Sequence, residues 1–126
     1  QKEVVVWGSG KPMREFMYIG DMAEASLLVH NLEHDIYEKN TKLMLSHVNV
    51  GTGVDITIIE LAETIKEVVA FDGNLVFDKT KPDGIMRKLM DVNKLSVLGY
   101  KAPTNLKSGL ELTYEDFLRN GKVLQI

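Results

Sequence analysis

Apolar residues follow two different rhythms along this chain, and the change from one to the other marks out its elements. Lys2 to Trp7 is a valine-rich run that stops at Gly8-Ser9-Gly10, which predicts a short strand closed by a tight turn. Phe16 to Ile19 resumes an extended pattern, so the two segments predict a hairpin. The rhythm then becomes helical. Met22, Ala25, Leu28, Val29 and Leu32 fall on one face, with Asp21 in the capping place and Glu24 three residues on. This predicts a helix from about Met22 to Glu33. The polar stretch from Glu33 to Lys42 reads as a helix end and loop, with Ile36 and Tyr37 free to pack back.

Val48-Asn49-Val50 before Gly51-Thr52-Gly53 predicts a short buried strand ending in a glycine turn. Thr57 and Glu60 have the spacing of a capping box, and Ile58, Leu61, Ala62, Ile65, Val68 and Val69 follow at helical spacing. Asn74 to Asp78 is a further strand and Lys79 to Gly84 a polar loop. Asp91 to Leu98 predicts a short helix closed by Gly99, and Leu106 to Asn120 a final helix with Leu106, Leu110, Thr113 and Phe117 inward. The expected fold is a small α/β unit, residues 1–126 as one domain, with short strands and about four helices. It is too short for a complete doubly wound nucleotide fold.

Composition narrows the partners. At 126 residues, 44% hydrophobic and 26% charged, one water-soluble domain is expected. A formal charge of -3 argues against broad attraction to nucleic acid or to an anionic membrane, so any anion site must be built from a few placed residues. No apolar run approaches the roughly 20 residues needed to cross a bilayer. The default compartment is the cytoplasm, and without cysteine the chain has neither disulfides nor a thiolate nucleophile. An opening at Gln1 rather than methionine, directly before a strand, is expected of a processed or partial product.

The chemistry-bearing residues gather in two segments. Trp7, the Gly8-Ser9-Gly10 turn and Arg14 form one; Lys81-Pro82-Asp83-Gly84-Ile85-Met86-Arg87-Lys88 forms the other. An aromatic plate and fixed cations are what a nucleoside diphosphate requires, one for the base and the others for the phosphates. Taken singly these residues are less telling, because a tryptophan ending an apolar strand is expected in or beside the core. Neither glycine turn makes the dinucleotide fingerprint G-x-G-x-x-G: Met13 and Ile56 occupy the last glycine positions. Gly51-Thr52-Gly53 before a capped helix offers a phosphate cradle on paper, yet Asp55 repels anions and a structural turn is favoured. His30 and His34 have helical i, i+4 spacing but are too few for a metal site. His47 and the Glu111, Glu115 and Asp116 group read as structural and solvated.

The runs Trp7 to Phe16, Asp21-Met22-Ala23, His47 to Gly53 and Lys81 to Gly84, in this order and spacing, resemble successive signatures of the bacterial GDP-L-fucose synthases, which are extended short-chain dehydrogenase/reductases. The resemblance covers nearly the whole chain. It implies an enzyme that epimerises GDP-4-keto-6-deoxy-mannose at two ring carbons and reduces its 4-keto group with NADPH. It implies also that Trp7, Arg14, Asp83 and Lys88 line the GDP-sugar pocket, with Arg14 and Lys88 on the diphosphate and Trp7 on the nucleotide. Arg87 ranks below Lys88. The family's serine, Tyr-x-x-x-Lys pair, cysteine and histidine are missing: Tyr18, Tyr37, Tyr100 and Tyr114 precede Met22, Thr41, Thr104 and Leu118 at the lysine position. The resemblance would put those groups and the NADP loop upstream of Gln1. The chain alone is therefore expected to hold no cofactor and to catalyse nothing. Its expected partners are GDP or a GDP-sugar, a missing or separately encoded NADP-binding domain, and a second copy in a homodimer. An apolar surface exposed near Val4 to Trp7 and Phe16 to Ile19 would favour the last two. A free-standing nucleotide-binding or scaffolding module is the alternative.

Overall fold

A computed structural model describes residues 2–121. Two small sheets carry the strands. In the first, β1 (Glu3–Trp7) runs parallel to β4 (Asn74–Asp78), with Glu3 opposite Asn74 and Trp7 opposite Asp78. In the second, β2 (Met13–Glu15) is central, antiparallel to β3 (Asp55–Thr57) and parallel to β5 (Arg87–Lys88). The predicted hairpin is thus replaced: β1 pairs with a strand far along the chain, and the residues after the turn join another sheet. The extended run expected at Phe16 to Ile19 gives way to a loop and the start of a helix. Val48 to Val50 has no ladder partner among the described residues and is not a strand.

Among the described residues there are five helices rather than about four. The addition is α2 (His34–Asn40), within the stretch read as helix end and loop. Helix α1 spans Ile19–His30, earlier than expected, and is capped by Tyr18 with an extended backbone. Asp21 does not cap it. Only 4% exposed, its carboxylate instead accepts from the Thr104 N–H at 3.0 Å and the Thr104 hydroxyl at 2.8 Å. The Tyr100 hydroxyl donates to the Asp21 carbonyl, so α1 is tied twice to the segment preceding α5. The cost of burying this carboxylate is offset by the bond that each of its oxygens accepts.

The predicted capping box is present at α3 (Ile58–Val68). Glu60 N–H donates to the Thr57 hydroxyl, and Thr57 N–H donates to the Glu60 carboxylate at 2.8 Å. Helix α4 (Asn93–Val97) ends as its sequence predicts, with Gly99 N–H bonded to the Ser96 carbonyl and Tyr100 N–H to the Leu95 carbonyl. Helix α5 (Leu106–Asn120) packs against α3, with Gly109 buried beside Tyr18. Its expected inward face is shorter than predicted: Leu106 and Leu110 are half-buried, but Thr113 is exposed and Phe117 is 64% exposed.

Little of the apolar content is buried. Ala25 and Leu95 are the buried hydrophobic residues among those described. The accessible surface is 9485 Å², against roughly 6,800 Å² for a compact monomer of this mass. Val5, Trp7, Phe16 and Ile19 are 51%, 73%, 36% and 75% exposed, the surface expected near β1 and the following arm. No helix of the described residues is long and apolar enough to cross a membrane.

Helix α3 carries one local fault. It ends with the same paired bonds as α4, Ala70 N–H to the Glu67 carbonyl and Phe71 N–H to the Lys66 carbonyl, but the left-handed position is filled by Ala70 at φ 52°. A side chain there costs about 1 kcal/mol relative to glycine. Ala70→Gly should therefore stabilise the chain by about 1 kcal/mol, less what glycine adds to unfolded-state entropy. Urea unfolding followed by circular dichroism reads the change in midpoint.

Candidate functional site

The first glycine turn and the Lys79 to Gly84 loop close on each other through one carboxylate. Asp83 Oδ1 accepts from the Ser9 N–H at 2.7 Å, and Oδ2 from the Ser9 hydroxyl at 2.6 Å. Gly8 makes this approach feasible. Its φ is +89°, and a Cβ there would stand 2.5 Å from Asp83 Oδ1. The Ser9 hydroxyl first, then its N–H and the charge of Lys11, hold the Asp83 carboxyl below the usual carboxylate range.

Between the two segments lies a hollow of about 130 Å³ bordered by Trp7, Gly10, Arg14, Pro82, Asp83 and Gly84. Three of the four residues expected at a GDP-sugar pocket therefore meet at one place. Trp7 is not core: as the last residue of β1 its ring is turned to solvent, with Lys81 Nζ 5.4 Å from the ring centroid. Lys81, the first residue of the second chemistry-bearing segment, thus makes a cation–π contact with the ring. Arg14 donates to the Met13 carbonyl at 2.6 Å, and its guanidinium runs beside Gly84.

Lys88 lies outside the hollow's lining but directly opposite Arg14 in the β2–β5 ladder. Residues paired across a ladder send their side chains to the same face, so the two cations share one side of the sheet. Arg87 leaves by the other side. There it grips Asp55 with a fork, Nε to Oδ2 at 2.6 Å and Nη2 to Oδ1 at 3.1 Å, which lowers the Asp55 pKa and raises that of Arg87. The Arg87 charge is thus already paired.

Glu15 is the residue the sequence did not reveal. Its Oε1 accepts from Thr52 N–H at 2.5 Å, Gly53 N–H at 2.6 Å and the Thr52 hydroxyl at 3.1 Å, and Oε2 from Met90 N–H at 3.3 Å. The amides that a phosphate cradle at Gly51-Thr52-Gly53 would need are thus already occupied, and the turn is structural. Neither glycine turn fits a dinucleotide, since Asp83 holds the other one. Among the described residues no group of three or more histidine, cysteine, aspartate or glutamate side chains is placed to hold a metal, and His34 instead lies 3.7 Å from Glu38. A second hollow of about 260 Å³, bordered by Phe16, Val54, Ile56 and Leu106, is apolar and offers Lys101 as its one charge.

The parallel β1–β4 pair, the Gly8 to Gly10 turn and the Arg14-bearing strand β2 meet at one edge of the chain. Residues 1–51 match the model of the NAD dependent epimerase/dehydratase family. The particular resemblance read from the motifs holds as well: the chain is 56% identical to the GDP-L-fucose synthase of Escherichia coli (strain K12) over 94% of its own length and 37% of that protein's. The solved GDP-6-OMe-4-keto-L-xylo-heptose reductase from C. jejuni aligns at a TM-score of 0.84 and 38% identity, over 94% of this chain and 34% of that one. A GDP-L-fucose synthetase from Naegleria fowleri, solved bound to NADP, aligns at a TM-score of 0.78 and 27% identity, over 98% of this chain and 37% of that one. The chain spans about a third of the length of the relatives it matches.

The Ser9–Asp83 clasp has a pH signature. A carboxyl whose folded pKa lies below its unfolded value, about 3.9 for aspartate, stabilises the fold fully above that value and loses the contribution as pH falls through the folded one. Ser9→Ala removes the largest cause of the shift. The Asp83 side-chain carboxyl carbon, followed by NMR from pH 6 to pH 2, should titrate at higher pH in the variant than in the parent; an unchanged midpoint would show that the Ser9 hydroxyl does not hold the carboxylate.

Proposed function

We propose that this chain is the GDP-sugar-binding unit of a GDP-L-fucose synthase-like, NADP-dependent epimerase/reductase, and that it has no catalytic activity alone. The observation that carries the reading is the meeting of an exposed aromatic plate, Trp7, with Arg14 at one hollow, and with Lys88 in register beside Arg14. Trp7 stacks on the base, displacing Lys81 from one face of its ring. Arg14 and Lys88 neutralise the diphosphate, a task suited to a guanidinium fork and a point charge on a common face. Asp83 keeps the wall under the nucleotide in place and borders the hollow, where its remaining lone pairs face a guanine or sugar donor.

The hollow is smaller than the roughly 300 Å³ from which ligand pockets start, so another part of the enzyme completes it. That part also brings NADP and the Tyr-x-x-x-Lys pair, none of which this chain supplies. The apolar residues left exposed on β1, α1 and the intervening arm form the surface it covers, and a second copy of the chain is its substitute when it is absent.

With one wall missing, GDP should bind at about the millimolar level, near -4 kcal/mol. Arg14→Ala should weaken binding about tenfold and flatten its dependence on salt, because a charge-assisted contact from a half-buried guanidinium is lost. Titrating GDP into both proteins at low and moderate salt, with amide chemical shifts as the readout, checks this. Equal binding by parent and variant would remove Arg14 from the site.

A further inference from the structure

Arg14 and Lys88 bind a diphosphate together only if their two segments keep a fixed separation, and one side chain touches both. Glu15 follows Arg14 on β2 and leaves the sheet by the opposite face. Its Oε2 takes the N–H of Met90, two residues past Lys88, at 3.3 Å, while Oε1 is seated among the Thr52 and Gly53 amides at 2.5 and 2.6 Å. The β2–β5 ladder is only two residue pairs long, Met13 with Arg87 and Arg14 with Lys88, which is too short to fix register by itself. Gly51 leaves room for the carboxylate, since a Cβ there would stand 2.6 Å from Oε1.

We infer that Glu15 is a positioning residue for diphosphate recognition: it never touches the ligand, but holds Arg14 and Lys88 at the spacing two phosphates require. The inference rests on the binding role proposed above for those two cations. A purely structural role would lower the folded fraction and so weaken every ligand alike; a positioning role changes selectivity. The measurement is therefore the ratio of GDP to GMP affinity, from which the folded fraction cancels.

The parent chain is expected to prefer GDP about tenfold, the effect of a second charge-assisted contact. Glu15→Gln, which removes the charge and turns an N–H₂ toward donors, should bring that preference to about twofold or less. Gly51→Ala expels the same carboxylate by steric contact while keeping its charge, and should do the same; it also serves if Glu15→Gln does not fold. A GDP preference unchanged in a folded variant overturns the positioning role and leaves the binding site standing. A parent chain with no preference for GDP over GMP overturns the paired-cation reading, and this inference with it.

Discussion

Glu15 draws the amides of Thr52, Gly53 and Met90 onto one carboxylate, and much of the second sheet depends on that gathering. Besides the ladder bonds of a three-residue strand, the Arg87–Asp55 fork and the Asn49 amide bonded to the Asp91 carbonyl also join these segments. Among the described residues, Glu15 alone gathers the turn before β3 and the segment after β5 onto one group of β2. The same device recurs. Asp21 holds Thr104, Asp83 holds Ser9, and Asp55 holds Arg87, each across at least 32 residues of chain. With so few apolar side chains buried, these polar clasps fix loop positions that packing fixes in larger cores. Acid should loosen the chain for this reason, since Asp55 and Asp83 titrate below the usual range and their bonds fail as they take up protons.

The clasps also explain how an acidic protein presents a cationic edge. Arg87 is paired with Asp55, and the Asp83 and Glu15 carboxylates are turned to the N–H and hydroxyl donors of the Ser9 and Thr52 turns, which leaves Arg14 and Lys88 together on one face of β2 and β5 with the Trp7 ring at the end of β1. An overall charge of -3 is then no obstacle, because the field at a short-range site is set by its nearest groups.

Legibility in the sequence followed the range of the interactions. Helix α3 was readable because its capping box and its apolar stripe are local, and α5 because fifteen residues give the helical period room to repeat. Strands β2, β3 and β5 are two or three residues long, too short for alternation to register, and the extended run after Gly10 was assigned to a hairpin for the same reason. Asp21 had every local mark of a cap; its true partner, Thr104, lies 83 residues away. The outward Trp7 ring also runs against its strand context: the end of an apolar strand predicts burial, and the ring is exposed. Trp7, Arg14, Asp83 and Lys88 are candidates through their residue chemistry and motif resemblance rather than periodicity; Glu15 lies inside the same motif, but only geometry distinguishes its work.

The account turns on a nucleotide lying against Trp7, and that residue is the chain's sole tryptophan. Its fluorescence, excited at the red edge of its absorption to avoid the nucleotide's own, is therefore an unmixed report from the site. Addition of GDP should quench it along a saturable curve whose midpoint rises with salt, while an equal concentration of pyrophosphate, lacking a base, leaves the emission nearly unchanged. Emission that does not respond to GDP up to about 10 mM, tenfold above the expected midpoint, would show that no base stacks on Trp7 and would contradict the assignment of this edge as a nucleotide-sugar site.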